Sequence, residues 1–433
     1  MTRNILLIAS IALLFRLMFV VIFPGPNYFE GISKPYLEVA QSVFDGRGAV
    51  LIVDIARTWE QPKLEYHPFI DRPLGYVFLV LLPRILTSSP VGVQVLHSIL
   101  SALSVLILFF VGKEIFEEKT AWWGALLYAI WPLSARFEIA ILPDGVMSFF
   151  ILATLWLVLR GIKDGPLWYG LAGLVCGVGM TMRPDIMLLP PVLAMGLFFW
   201  AKARTGALAL LAGVVLVVGL HTARNYEATS KIVPLGLGNG VSMWEGISQF
   251  GDTLGTVYGD DRMAEREGYR DWAYPNGVER DRKRFGEAVK IISENPVWYA
   301  GVMAKRIPVI LTPSMNITPY PMVPVREFMR SPENTAWAYF LLNPFPVAVR
   351  LLVVMLQYIS LALAAYALWV HRGNKLLWLP AAVIAYYVVI HIPTNAESRY
   401  FYPVIPLVLM LAASGFEKKK EFVSDMDAER WEQ

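Results

Sequence analysis

The sequence predicts an all-α polytopic membrane protein with about ten transmembrane helices, on three observations. Apolar residues make up 56% of the 433 positions and charged ones only 17%, with a mean hydropathy of +0.49, whereas soluble domains carry about a quarter charged residues. Ten apolar runs approach or reach the length that crosses a bilayer, about 20 residues with a range of roughly 17 to 25. The Lys and Arg residues fall in short clusters between those runs, as they do in cytoplasmic loops.

The first run, 4–23, follows Arg3 and has no small-residue cleavage site after it, so it reads as a retained helix. A polar stretch, 24–90, separates it from six further runs at 91–112, 120–137, 143–160, 167–181, 185–201 and 206–222. A second polar stretch, 223–345, precedes the last three, 346–370, 376–393 and 401–416, and a charged tail, 417–433. The expected organisation is a module of seven spans over 1–222 with an outer loop at 24–90, a larger outer segment at 223–345, C-terminal helices over 346–416 and a cytoplasmic tail.

The run "YVFLVLLPRIL" at 76–86 is too short to span and reads as a helix lying at the interface. With that reading, one side of the membrane collects Arg3, Lys113, Lys119, Arg160, Lys163, Lys202, Arg204, Arg372, Lys375 and Lys418 to Lys420, twelve basic residues, against Arg136, Arg183 and Arg399 in the short loops opposite. The imbalance places both termini in the cytoplasm and both long polar stretches outside. In the second stretch, Val278, Phe285, Val289 and Ile292 fall on one helical stripe that should be its buried face.

The net charge of +3 gives no electrostatic basis for binding nucleic acid. A single cysteine, Cys176, rules out an internal disulfide or a zinc knuckle and reads as a packed core residue. No glycine-rich nucleotide loop is present, and His67 near Glu65 and Asp71 is the closest approach to a metal-ligand cluster, so no cofactor is required and a divalent metal is not expected.

Ionisable residues at the ends of spanning helices are costly in lipid and usually face a cavity or a partner. Five groups do so on the outer face: Glu30 in "NYFEGISKPY"; His67, Asp71 and Arg72 in "HPFIDRPLGY"; Asp144 in "ILPDG", at a helix start where the dipole favours a carboxylate; Arg183 and Asp185 in "TMRPD"; and Arg224 in "HTARNYEA" with Glu397, Arg399 and Tyr400 in "NAESRYFYPVIP". Acids beside arginines suit an anionic, amphipathic substrate: guanidinium groups bind phosphate in a fork, and a carboxylate can take the proton of an attacking hydroxyl. A lipid-linked sugar phosphate fits.

The stretches "PYLEVAQSVFDGRG", "RPLGYVFLVLLPRI", "ILPDGVMSFF", "GVGMTMRP", "ARNYEATSKIVPL" and "ESRYFYPVIPLVLMLAASG" occur in the order in which similar stretches occur in the GT-C superfamily of integral-membrane glycosyltransferases. The chain resembles in particular the branch of protein O-mannosyltransferases and lipid A aminoarabinose transferases. The resemblance implies a polyprenyl-phosphate-linked sugar as donor, a lipid, glycan or protein acceptor, and chemistry on the outer face of the cytoplasmic membrane. It makes Glu30 the base candidate and Asp144 the second acid, places Arg72 before the interfacial helix with Tyr36 as the tyrosine of the first motif, and assigns Arg183, Arg224, Arg399 and Tyr400 to the substrate's phosphate side. Glu30 stands further ahead of Tyr36 than the family acid usually stands, so either Glu30 or another acid such as Asp71 fills that role. A transporter of a lipid-linked sugar, or a non-catalytic binder of one, would share these arginines; a transporter would add repeat symmetry and broken helices at mid-membrane.

Overall fold

The computed structural model describes residues 2–25, 30–250, 265–271, 273–320 and 325–417. In chain order the helices are α1 (Thr2–Ile22), α2 (Glu30–Phe44), α3 (Gly75–Arg84), α4 (Val91–Ile115), α5 (Glu118–Ala129), α6 (Pro132–Glu138), α7 (Asp144–Asp164), α8 (Pro166–Met182), α9 (Leu189–Met195), α10 (Arg204–Thr229), α11 (Asn239–Ser248), α12 (Gly277–Glu294), α13 (Pro296–Leu311), α14 (Val325–Phe328), α15 (Ala336–Leu342), α16 (Pro344–Val370), α17 (Trp378–His391) and α18 (Ile405–Ser414). Their packing runs from α10 through α8 and α7 to α4, which also carries α1 and α5; α18 then joins α5 to α16.

Two expectations need correction. The fold is not purely helical: within the first polar stretch, β1 (Val50–Asp54) and β2 (Leu64–Pro68) pair antiparallel with Ile52 opposite Tyr66. The β-branched alternation of "VLIVD" supports a strand, with Leu51 and Val53 buried and Ile52 exposed. Nor are ten helices each long enough to span. Five are long and apolar enough among the described residues, 5–22, 91–115, 144–164, 204–229 and 344–370, and the remaining runs form shorter or interrupted helices.

The interruptions have local causes. The run 120–137 breaks between α5 and α6 at Trp131-Pro132, because proline cannot donate to the preceding turn. The run 185–201 opens with a 3-10 turn at Pro184–Ile186, continues as α9 and ends in a π-helical turn at Gly196–Trp200. The short interfacial run is α3, and α10 extends seven residues past its expected end to Thr229.

Close contact of α8 and α10 depends on small residues: a Cβ on Gly173 would fall on the Leu210 carbonyl. Such contacts let two helices in lipid approach through backbone packing. The stripe expected to bury α12 does so only in part: Val278 is buried and Ile292 half-buried, but Phe285 and Val289 are exposed, and Asp281, Arg284 and Ala288 complete the covered face. Polar partners outcompete the apolar stripe there: Arg284 pairs with Glu267 at 2.8 Å and Asp281 accepts from the Gly238 and Gly240 amides at 3.1 and 2.9 Å. Cys176 is buried and free, as its apolar surroundings imply.

The break after α5 leaves carbonyls without helical partners, and an ion pair inside the bundle satisfies them. Arg16, fully buried in α1, donates to the Tyr128 carbonyl at 3.1 Å and to that of Ala129. Its guanidinium also meets Glu138 of α6 at 3.1 Å and the Ser101 hydroxyl of α4 at 2.6 Å, while the Tyr128 hydroxyl donates to Glu138 at 2.6 Å. Each guanidinium nitrogen and both Glu138 oxygens thus exchange water for a protein partner, which is the condition for burying charge. Arg16→Ala strands Glu138 and is expected to cost about 3–5 kcal/mol, read as a lowered midpoint of thermal unfolding in detergent; an unchanged midpoint would show that the pair contributes nothing.

Candidate active site

The polar groups collect where α7, α8, α17 and the first polar stretch meet. Asp144 is the first residue of α7, after Pro143, and it is buried. Its carboxylate pairs with Arg183, which follows α8 in extended conformation and also meets Asp185 at 2.9 Å. The guanidinium lies 4.7 Å from the centre of the Tyr400 ring, within cation–π range, and His391 stacks on that ring at 4.4 Å. His391 also stands 3.9 Å from Asp185, and the Tyr386 hydroxyl donates to the Asp185 carbonyl at 2.6 Å. Arg183 is thus fixed by two acids and an aromatic face, from three separate parts of the chain.

The first polar stretch adds a second wall. On α2, Ser33 donates to the Ile141 carbonyl at 2.8 Å, tying the helix to the turn that leads into Asp144. Tyr36, three residues on and fully buried, packs edge-on against Tyr76 at 4.8 Å and under the Arg72 guanidinium at 5.4 Å. Burial pushes its phenol up, while the Arg72 and Arg183 charges oppose that shift. Tyr36, Asp71, Arg72 and Arg183 therefore share one electrostatic neighbourhood. Behind Tyr36, the Tyr76 hydroxyl and His97 are 3.2 Å apart, and His97 reaches the Glu138 carbonyl at 3.0 Å, joining this wall to the buried ion pair.

Asp71 is buried, and its Oδ1 has no hydrogen-bond partner among the described residues. Burial, with the nearby Asp271 carboxylate adding to it, pushes the Asp71 carboxyl up to about 6. The Asp271 carboxyl is itself raised by burial. The segment carrying Asp71 and Arg72 is held from the second polar stretch: Leu237 donates to the Ile70 carbonyl at 3.0 Å, and the Tyr274 hydroxyl to that of Pro68. A Cβ on Gly236 would sit 3.0 Å from the Arg72 backbone, so this approach depends on glycine.

The remaining sequence-assigned arginines have their donors engaged elsewhere. Arg224 donates to the Phe69 carbonyl at 2.6 Å and to that of Ala49 at 3.2 Å, and so grips the loop ahead of Asp71. Arg399 pairs with Glu397 at 2.8 Å, and Glu397 also accepts from the Tyr400 hydroxyl at 3.0 Å. Arg72 donates to the Ile32 carbonyl at 3.0 Å. The backbone of Glu30 opens α2, but its side chain lies outside the described residues. No group of three or more His, Cys, Asp or Glu side chains is placed to hold a metal among the described residues; His67 stands 3.1 Å from Glu65 and packs on the Tyr274 ring.

Sequence reasoning missed Arg16 with Glu138, and Asp271 with Tyr274. Arg16 sits in the middle of an apolar run, where an intramembrane charge is itself a signal. Asp271 lies in a Gly- and Tyr-rich stretch without periodicity, which offers no such signal.

Residues 66–222 match the family model described as dolichyl-phosphate-mannose-protein mannosyltransferase. The apo crystal structure of the Archaeoglobus fulgidus oligosaccharyltransferase superposes over 94% of this chain and 50% of its own, with a TM-score of 0.52 and 14% identity. Over that superposition the two chains share one fold. The undecaprenyl phosphate-alpha-4-amino-4-deoxy-L-arabinose arabinosyl transferase of Pseudomonas aeruginosa is 27% identical over 171 residues, 36% of this chain and 31% of that protein. Apo ArnT from Cupriavidus metallidurans matches over 96% of this chain and 76% of its own, at a TM-score of 0.40 and 14% identity. The alignment spans about a third of the curated relative, and the chain about half of the oligosaccharyltransferase. The family match covers the end of the hairpin's second strand, α3 to α9 and most of α10, including Asp71, Arg72, Asp144 and Arg183.

A carboxyl at about 6 in the fold and near its ordinary 3.8 when unfolded is uncharged in both states at low pH, so its burial costs nothing there. The cost grows as pH rises through that interval and persists above it. Asp71→Asn is therefore expected to be more stable than wild type at pH 8, by about 3 kcal/mol, and no more stable at about pH 3. Thermal melts of both proteins across pH check this; a gap independent of pH would contradict the assignment.

Proposed function

We propose that the chain is a glycosyltransferase that moves a sugar from a polyprenyl-phosphate-linked donor to a lipid, glycan or protein acceptor on the outer face of the cytoplasmic membrane. The GT-C fold, the mannosyltransferase family match and the name of the Pseudomonas relative support the donor class. The clustering of Lys and Arg between the other ends of the helices supports the outer location, with both termini cytoplasmic.

The observation that carries the reading is Asp71. A buried carboxylate with an unpartnered oxygen, raised to about 6 and sharing its neighbourhood with Tyr36, Arg72 and Arg183, is suited to general-base work near neutral pH. In the proposed step Asp71 takes the proton of the acceptor hydroxyl, and the oxygen attacks the anomeric carbon. The bond from that carbon to the lipid phosphate oxygen breaks, and the phosphate leaves with the electron pair. Positive charge near the leaving oxygen lowers the barrier by meeting the charge as it develops. Asp144, paired with Arg183, is the poorer base, because the guanidinium stabilises its charged form. Glu30, at the start of α2, is the second base candidate by its place in the first motif.

Purified protein in proteoliposomes with a sugar-labelled polyprenyl-phosphate donor tests both. Asp71→Asn is expected to lower kcat by 10²-fold or more and to remove an acid limb near pH 6 from the wild-type profile, whereas Glu30→Gln retains most of the activity. Full activity in Asp71→Asn would remove it as base, and a donor left intact by wild type with every acceptor class would favour a transporter or binder.

A further inference from the structure

A groove of about 960 Å³ runs between α5, α16 and α18. It lies away from the candidate site: Asp144 opens α7, whereas Arg160, near the other end of that helix, pairs with Glu114 just ahead of the groove's Glu117. The walls are apolar, with Leu127, Leu356, Leu363 and Leu409 among them. Trp123, Ile359 and Phe416 also line it and are exposed, so the groove opens on the surface that α16 turns to the bilayer. Leu127 follows Glu117 by ten residues, roughly 15 Å along α5, which is half of a hydrocarbon core about 30 Å thick. The groove is therefore about one leaflet deep.

Its polar end has two charges without partners. Nearby charged groups are spent on one another: Lys113 on Glu118, Arg160 on Asp164 and Lys163 on Glu114. Lys119 is exposed and makes no hydrogen bond or ion pair among the described residues. Glu417 accepts the Glu117 amide at 3.2 Å through Oε1, while its Oε2 is buried without a hydrogen-bond partner among the described residues. A buried carboxylate oxygen left without a donor is costly. An occupant with acyl chains for the groove, an anion for Lys119 and N–H donors for Glu417 satisfies all three features. A phospholipid with a primary ammonium on its headgroup has them. The quaternary ammonium of phosphatidylcholine has no N–H to give, and phosphatidylglycerol has no cation to set against the carboxylate.

We propose that this groove binds one molecule of phosphatidylethanolamine. The acyl chains fill the gap between α5 and α16, the phosphate meets Lys119, and the ammonium donates to Glu417 Oε2. The lipid thereby joins the start of α5 to the chain that leaves α18. The site does not depend on the transferase reading, because none of its residues belongs to the cluster around Asp71 and Arg183.

The test uses the full chain in nanodiscs of equal parts phosphatidylethanolamine, phosphatidylcholine and phosphatidylglycerol with matched acyl chains. Native mass spectrometry reads the lipids that stay on the protein once the disc is stripped away. Wild type should retain phosphatidylethanolamine over phosphatidylcholine by about tenfold or more. Glu417→Gln, whose side-chain oxygen can still accept the Glu117 amide, should bring the two lipids level. Lys119→Ala should lower both, and Ala413→Trp, which fills the groove, should remove the retained lipid altogether. Retention of the three lipids in the proportions of the disc overturns the proposal, since the groove would then hold annular lipid only. A preference for phosphatidylglycerol, or a preference for phosphatidylethanolamine that survives in Glu417→Gln, also overturns it.

Discussion

The ion cluster around Arg183 is the constraint on which the site depends. A guanidinium at the end of α8 meets Asp144 at the start of α7 and Asp185 in the turn that follows, with the Tyr400 ring against it. Two acids against one cation leave the cluster negative by one charge, and burial raises the electrostatic cost of any further mismatch. Such a cluster needs its members held rigidly, so that the guanidinium meets both carboxylates, and α7, α8 and the turn after α8 hold them.

The same logic extends outward. Arg224 and Tyr274 grip backbone carbonyls of the segment that presents Asp71 and Arg72. The second polar stretch is therefore part of the scaffold of the first. At the other end of α4's polar face, Arg16, paired with Glu138, satisfies the carbonyls exposed by the break at Pro132, and the His97 to Tyr76 contact carries that order to Tyr36. A site whose groups come from at least four chain segments needs such cross-links, because a shift of about 1 Å at the reacting groups is enough to lose catalysis.

Much of this was legible in the sequence, for identifiable reasons. Hydropathy located α1, α4, α7, α10 and α16, since twenty or more apolar residues have few alternatives to a helix in lipid. Acids and arginines at helix ends pointed to Asp71, Asp144, Arg183 and Tyr400, which do converge. What escaped was set by tertiary partners. The hairpin at 50–68 is short and its second strand mostly polar, Pro132 reads as tolerable within an apolar run, and the buried face of α12 is decided by Glu267 and two backbone amides. What an arginine's donors meet depends on what folds against it, which is why residue type did not show that Arg224 grips the Phe69 and Ala49 carbonyls.

The measurement that bears most directly on the account is single-turnover loss of labelled sugar from a polyprenyl-phosphate donor by purified wild type and Arg183→Met. If the Arg183 cluster organises a transferase site, wild type consumes the donor, and Arg183→Met, still folded by size exclusion and circular dichroism, is slower by 10²-fold or more. A folded Arg183→Met protein that consumes the donor at the wild-type rate would contradict it.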